Sequence, residues 1–484
     1  MSPGAFPDVA WAGLAPELVM VLGAVVLLLL DVQVKPGVKV LWRSASAIMV
    51  IALALGIWQW IVTEPGGELA FGGMLILDPA AAFARLVVLV VSILAISAGR
   101  SLFVQLGNRA AEGLALVLLA SAGFVLMAAS QNLVMMFLGL EMGSISLYIL
   151  AGITGDGVRS DEAALKYLLL GAVASAVFIY GVALVFAGTG SLGLVAIGGF
   201  LAQYLVLSPA VLLIGIGLIT VGLCFKVAAA PFHVWAPDVY QGAPAGIVGY
   251  MAAVAKVGGF AALARVLLSG FGTFRADWAL VVAAIAALSM MVGAVMAIIS
   301  TDIRRLLAYS GVAHAGFILT GLASGAPGSP SVWFYLAVYT VQLVAAFSVI
   351  SAVGGAASSG SALSDYRGLY RRSPFLAIAL SVSLLGMAGL PLTTGFVAKL
   401  GVFLQAWQHG LQWLVVVAVL ASAMAIYLYL RVIVTMYMHS PTTDDPVGSD
   451  RPTFWALGFA TAVTVVLGVF PQPLLKLVES AIYL

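Results

Sequence analysis

Apolar stretches of roughly bilayer length follow one another along the whole chain, separated by short polar breaks. A spanning helix needs roughly 20 mostly apolar residues, because about 30 Å of hydrocarbon is crossed at about 1.5 Å per residue. On that criterion the chain divides into about fourteen spans: 9–30, 40–62, 76–98, 112–129, 132–153, 162–187, 208–230, 246–269, 276–299, 303–324, 331–354, 374–407, 411–438 and 452–470. The runs lack the strict polar/apolar alternation of membrane strands, so helices rather than a barrel satisfy the backbone. The pattern predicts an all-α polytopic membrane protein.

Two of these stretches are too long for one straight crossing. The apolar run from 208 continues through Pro231 to about Tyr240, and the run 374–407 contains Pro391 near its middle. Proline removes a backbone donor and clashes with the preceding turn, so each run predicts two half-helices joined by unwound backbone. The interruptions fall at similar depths in two five-span blocks, 112–269 and 276–438, flanked by a three-helix segment at 1–111 and a loop and last helix at 439–484. Five is odd, so the second block enters from the opposite side and the two form inverted repeats. Matching interruptions in two inverted halves point to an ion path at mid-membrane. Kinks that serve packing alone are the competing reading.

Composition narrows the class. Hydrophobic residues make up 63% of the 484 positions and charged ones only 8%, against about 25% charged in a soluble domain. An ordinary soluble enzyme, a disordered regulator and a nucleic-acid binder are excluded. A net charge of +2, from 21 basic and 19 acidic residues, identifies no electrostatic partner. The single cysteine, Cys224, permits neither an intrachain disulfide nor a four-cysteine cluster or zinc ribbon. No dinucleotide fingerprint of glycines follows a strand. The expectation is therefore no cofactor and no metal in this chain. The absence of a basic stretch before the first apolar run argues against a cleaved signal peptide.

Loop charges give the orientation. Connections after odd-numbered spans carry Lys35, Lys39, Arg43, Arg100, Arg109, Arg159, Arg304, Arg305, Arg367, Arg371, Arg372 and Arg451, while the other connections and the tails carry Arg275 and Lys476. The positive-inside rule makes the first group cytoplasmic and both termini periplasmic.

The remaining basic residues lie within spans. Arg265 and Arg431 fall near helix ends, where snorkelling to the headgroups is expected, and Arg85 is read the same way. Lys226, Lys256 and Lys399 differ, because a lysine at mid-membrane costs about 2.5–3.5 kcal/mol on insertion scales. Three imply a polar interior. Lys226 precedes Pro231 and Lys399 follows Pro391, so each interruption has a lysine beside it. Glu141 is the carboxylate nearest the middle of a span, and Lys166 lies about one turn inside its helix beside Asp161 and Glu162. A static ion pair that fixes helix packing is the plain reading of Glu141 and a lysine. Buried pairs are poor sources of stability, which favours a chain of titratable groups that passes protons. His233 and His314 are possible shuttles, although a hydrogen-bonded core histidine is the commoner case. The segment from Thr301 reads as a capped helix start.

The stretch CFKVAAAPFHVWAPDVYQGAPAGIVGYMAAVAKVGGF, from Cys224 to Phe260, resembles the antiporter-like subunits of bacterial respiratory complex I and their cation/proton antiporter relatives. So do SDEAALKYLLLGAVASA at 160–176, TDIRRLLAYSGVAHAGF at 301–317, SDYRGLYRRSP at 364–374 and MAGLPLTTGFVAKLGVF at 387–403, with the N-type branch the nearest in form. The resemblance implies a fourteen-helix proton-translocating subunit in the inner membrane, coupled to quinone reduction elsewhere. It assigns the fifth-helix glutamate to Glu141 and the sixth-, seventh-, eighth- and twelfth-helix lysines to Lys166, Lys226, Lys256 and Lys399. The M-type branch usually has glutamate at the last position. Gly311 stands where the family more often has serine. FMN, iron–sulfur clusters and quinone are implied in partner subunits, with M-type and small K/J-type subunits as neighbours. An antiporter subunit without redox coupling is the alternative, and a spacer with vestigial sites a third.

Overall fold

The computed structural model describes residues 11–64, 66–154, 158–204, 209–325, 330–354, 361–441 and 445–481. Within them the chain is a bundle of helices with one two-stranded hairpin, β1 (Glu68–Ala70) and β2 (Leu75–Leu77). The first helices are α1 (Ala15–Gln33), α2 (Val38–Val62), α3 (Pro79–Ala98) and the short α4 (Arg100–Leu106). Next come α5 (Ala110–Ala128), α6 (Leu133–Ala151), α7 (Val158–Thr189), α8 (Leu194–Gln203), α9 (Pro209–Lys226), α10 (Trp235–Gly242) and α11 (Ala245–Ala264). They are followed by α12 (Arg275–Ile299), α13 (Ile303–Ala323), α14 (Pro330–Gly354), α15 (Leu369–Arg372), α16 (Pro374–Ala388), α17 (Thr394–Gln408) and α18 (Gln412–Met438). The last two are α19 (Arg451–Val469) and α20 (Gln472–Ser480). Among the described residues thirteen helical segments are long and apolar enough to span a membrane. The interrupted pair α16–α17 makes the fourteenth crossing, in line with the sequence pattern.

Burial sorts the helices into inner and outer ones. Nearly every residue of α11 and α13 is buried, whereas α2, α7 and α18 present large apolar side chains such as Ile51, Leu169 and Val419 outward. An inner helix that is apolar on every side is packed all round, and these inner helices carry Lys256 and His314.

Several local features recur at a fixed separation along the chain. Asn132 caps α6 and Asp302 caps α13, 170 positions apart. Each cap lies in an isolated antiparallel bridge, Asn132 with Gly193 and Asp302 with Ala362. The same separation relates Gly123 of α5 to Gly293 of α12. A Cβ on Gly123 would lie 2.4 Å from the Gly143 nitrogen, and one on Gly293 would lie 2.4 Å from the Ala313 nitrogen. Both helix pairs therefore approach backbone to backbone. Gly123→Ala or Gly293→Ala is expected to destabilise the protein by about 1–3 kcal/mol, read as a lower unfolding midpoint in detergent. Gly217→Ala, with nothing within 4 Å of its Cβ, is the silent control.

The three arginines expected to snorkel do not. Arg265 is 1% exposed and grips Asp78 through two bonds, Nη1 to Oδ2 at 2.8 Å and Nη2 to Oδ1 at 2.6 Å. Arg85 is 2% exposed and pairs with Glu17 at 2.7 Å. Arg431 donates to the Ile298 and Ser300 carbonyls at 2.7 and 2.6 Å. The reason is local. Each finds uncapped helix-end carbonyls or a buried carboxylate within reach, and these satisfy a guanidinium fork better than a stretch to the headgroups.

Candidate functional site

Both predicted interruptions form. Helix α9 ends at Lys226 and α10 begins at Trp235; α16 ends at Ala388 and α17 begins at Thr394. Each break holds one non-glycine residue in the left-handed region, Ala228 at φ 57° and Leu392 at φ 69°. Such residues are uncommon and often sit at functional positions.

The breaks release main-chain carbonyls, and lysines take them. Lys256 Nζ donates to the Val227 carbonyl at 2.7 Å and to the Gly311 carbonyl at 3.0 Å. Lys399 Nζ donates to the Ala388 carbonyl at 2.8 Å and to Ser422 Oγ at 2.9 Å. Val227 and Ala388 are the carbonyl ends of α9 and α16, where the helix dipole favours a cation. A buried ammonium group thus sits at each interruption.

Lys226, 3% exposed, points from the last turn of α9 towards α6 and α7. Its Nζ donates to Ser144 Oγ at 2.8 Å and to the Tyr167 hydroxyl at 3.4 Å, and it lies 5.0 Å from the Phe124 ring centroid. Glu141 does not pair with it directly. The carboxylate of Glu141 accepts a short hydrogen bond from Ser175 of α7. A cavity of about 10 Å³ lies between Ser175, Ser144 and Lys226, about enough for one water. The plain static pair is therefore not what forms: glutamate and lysine are separated by two serines and a water-sized gap.

Lys166 sits at the mouth of this arrangement. Its side chain is 42% exposed and bridges Glu162 at 2.8 Å and Asp238 at 2.9 Å. Arg305 holds the other oxygen of Asp238 at 2.7 Å. Lys166, Glu162 and Asp238 border a cleft of about 210 Å³ that is also lined by Arg159 and Gln241. Asp238 ties α7 to α13, and residue-by-residue reading missed it, although it lies in the quoted motif PFHVWAPDVYQGAP.

Between the two interruptions lies an aromatic cluster. His314 Nδ1 is 2.8 Å from the Tyr335 hydroxyl and Nε2 is 3.2 Å from the Tyr429 hydroxyl, which also makes a short bond with Ser310. The Tyr339 ring stacks on the imidazole at 4.3 Å, and its buried hydroxyl has no partner among the described residues. That hydroxyl lies beside Gly311, whose carbonyl Lys256 holds. On the far side Phe317 stands between the imidazole, 5.7 Å away, and Lys399 Nζ, 4.7 Å from its ring. His233 is half-buried, edge-on to Tyr309 at 6.2 Å, and its Nδ1 lacks a partner among the described residues. Lys226, Lys256, His314 and Lys399 form one buried row; Glu141 and Lys166 flank its first end and His233 lies beside it. Among the described residues no three His, Cys, Asp or Glu side chains gather in a way that could hold a metal.

The family described as the NADH:quinone oxidoreductase/Mrp antiporter transmembrane region matches residues 130–425. The NADH-quinone oxidoreductase subunit N of Chloroflexus aggregans is 38% identical over 482 residues, covering 98% of each chain. The subunit N of Trichlorobacter lovleyi is 37% identical over 473 residues, covering 97% of this chain and 96% of the relative. A chain of respiratory complex I from Thermus thermophilus with bound aureothin superposes with a TM-score of 0.83 at 32% identity, over 95% of this chain and 98% of that one. A chain of the Mrp complex from Dietzia sp. reaches a TM-score of 0.86 at 20% identity, over 98% and 97%, a likeness of fold alone.

Proposed function

The chain belongs to the family of membrane subunits shared by NADH:quinone oxidoreductases and Mrp antiporters, and from that membership we propose that it is the N-type proton-translocating subunit of a respiratory complex I membrane arm. It serves the enzyme as a translocase module, and the redox chemistry of FMN, iron–sulfur clusters and quinone belongs to partner subunits. The neighbours fitting this reading are the M-type antiporter-like subunit and the small K/J-type subunits. The 12 to 2 bias of loop charges supports a bacterial inner-membrane orientation with both termini periplasmic.

The observation that carries the reading is the buried row of Lys226, Lys256 and Lys399, with an ammonium group bound to freed backbone at each helix interruption. Protons enter at the cleft of Lys166 and Asp238, pass Glu141 and the gap behind Ser175 to Lys226, and cross to Lys256 beside Val227. The cluster around His314 then hands them towards Lys399, with His233 as a side shuttle. Each of these lysines holds only neutral oxygens, those of Ser144 and Tyr167, of Val227 and Gly311, and of Ala388 and Ser422, so none is locked in a static ion pair.

The repeats run over 112–269 and 276–438 in this reading, leaving 1–111 and 439–484 as flanks. Further equivalences support it. Arg265 bonds the Ala128 carbonyl and Arg431 the Ile298 carbonyl, ends of α5 and α12 that are again 170 positions apart. Arg265 and Arg431 are 166 apart, and the same step sets Ser422, the partner of Lys399, opposite Lys256.

Lys399→Ala tests the relay at its far end. In the assembled complex, protons pumped per quinone reduced are expected to fall at least twofold, with NADH oxidation by artificial acceptors unchanged. Unaltered stoichiometry in a fully assembled variant removes Lys399 from the path. The antiporter reading rests on the Mrp likeness, and genes for flavin and iron–sulfur subunits beside this one decide against it.

A further inference from the structure

The N-terminal helices enclose polar groups that the lysine row does not use. A cavity of about 410 Å³ lies between the start of α1, the end of α2 and the start of α3, bordered by Gln59, Thr63, Glu64, Glu68, Asp78 and Arg85. In the orientation proposed above it opens on the periplasmic side. Glu17 stands behind it, 6% exposed. Its Oε1 accepts both Nε and Nη2 of Arg85, at 3.0 and 2.7 Å, while its Oε2 is buried with no partner among the described residues. Gln59, which accepts a short bond from Arg85, and Gly13, whose carbonyl accepts from Arg85 at 3.4 Å, both border the cavity, so the groups around Glu17 face it.

Charge is not balanced there. Arg85 is matched by Glu17 and Arg265 by Asp78, which leaves the exposed Glu64 and Glu68 without a counter-charge at the mouth among the described residues. Acidic groups rimming a low-dielectric cleft concentrate cations. Inward, the cluster is continued by hydroxyls. Ser92 lies seven residues beyond Arg85, two turns along the same face of α3 and about 10 Å away. It bonds Ser121 at 2.9 Å, and Ser121 bonds Tyr250 at 2.7 Å, on the helix that bears Lys256.

We propose that this cavity is a hydrated, cation-attracting vestibule on the periplasmic side, with Glu17 as its proton-binding group, a second point where protons leave the subunit, on a branch that parts from the relay before Lys399. A hydronium ion gives up one O–H bond, leaving water, and the proton forms an O–H bond on Oε2 while Oε1 stays with Arg85. The bond then breaks to a vestibule water, giving hydronium and restoring the carboxylate. The aligned charges facing Glu17 are Arg85 from α3 and, across the cavity, Asp78 with Arg265, Glu64 and Glu68. The proposal rests on the proton-translocating reading.

Two measurements test it in the intact complex. The native Cys224 is buried, so Thr63→Cys supplies one accessible thiol in this subunit. Cationic trimethylammonium-ethyl methanethiosulfonate, added from the periplasmic side, is expected to modify it at least tenfold faster than the anionic sulfonatoethyl reagent. Glu64→Gln with Glu68→Gln should shrink that ratio severalfold. No labelling, or an unchanged ratio, overturns the vestibule. Glu17→Gln with Arg85→Met, which removes both charges of the pair and strands neither, is expected to lower protons released per quinone reduced while assembly and NADH oxidation by artificial acceptors hold. If this double variant pumps normally where Lys256→Ala does not, the release site falls and the relay stands. If both pump normally, the relay itself falls.

Discussion

Alanine at Lys256 is expected to abolish proton pumping, by tenfold or more, in a complex that still assembles and still oxidises NADH with artificial acceptors. Alanine at Lys226 should do the same. The argument starts from what each ammonium touches. Lys256 Nζ holds two carbonyls, those of Val227 and Gly311, and no carboxylate; Lys226 Nζ holds two hydroxyls, those of Ser144 and Tyr167. Removing one member of a static buried ion pair would strand its partner at a cost of about 3–5 kcal/mol. Neither lysine has such a partner within 4 Å among the described residues. Its loss leaves neutral acceptors and relieves a burial cost of about 2.5–3.5 kcal/mol, so assembly should survive. Arginine adds a sharper test. It keeps the positive charge but does not release its proton in proteins, so Lys256→Arg should pump as poorly as Lys256→Ala. If arginine restores pumping, a fixed charge suffices and the lysine is not a carrier.

How much of this was legible in sequence depended on range. Span positions rest on local hydropathy, and the interruptions rest on proline chemistry, so Pro231 and Pro391 marked both breaks. The cap at Asp302 was equally local, and its side chain accepts from the Arg304 and Arg305 nitrogens. The partners were not legible. Ser144 and Tyr167 reach Lys226 from 82 and 59 positions away, and serines and tyrosines are too common in apolar helices to stand out. Arg265 and Arg431 lie near helix ends, where snorkelling is usual, and Arg85 lies deeper; the partners that hold them inside, Asp78, the Ile298 carbonyl and Glu17, are 187, 133 and 68 positions off. The Asp-Pro start of α3 was the available signal for a buried acid there. The proportions of the two blocks suggest inverted repeats, and the proposal gains support from the cap pair Asn132 and Asp302 and the contact pair Gly123 and Gly293, which no local pattern relates.

Asp78→Ala is expected to produce the largest loss of stability in the chain. Asp78 does two things at once. Its Oδ1 accepts the Ala81 nitrogen at 2.7 Å and so caps α3, and both its oxygens hold the Arg265 fork. Loss of the cap costs about 1 kcal/mol. Loss of the counter-charge leaves a guanidinium buried and unpaired, for about 3–5 kcal/mol more. The sum is comparable to the whole stability of many domains, about 5–15 kcal/mol, so the variant should be poorly retained in the membrane arm and unfold well below the wild type in detergent. Asp78→Asn keeps a capping oxygen but not the charge, and should fall between the two. The double variant Asp78→Leu with Arg265→Met removes both charges and should recover most of the loss. Recovery stays incomplete because the cap is gone and the Ala128 carbonyl, which accepts from Arg265 Nε at 2.5 Å, then lacks its donor. Thermal unfolding of the purified wild type and these three variants separates the contributions. If Asp78→Ala lies within about 1 kcal/mol of wild type, the buried pair does not anchor α3 to the end of α11, because that shift is no more than the cap alone accounts for.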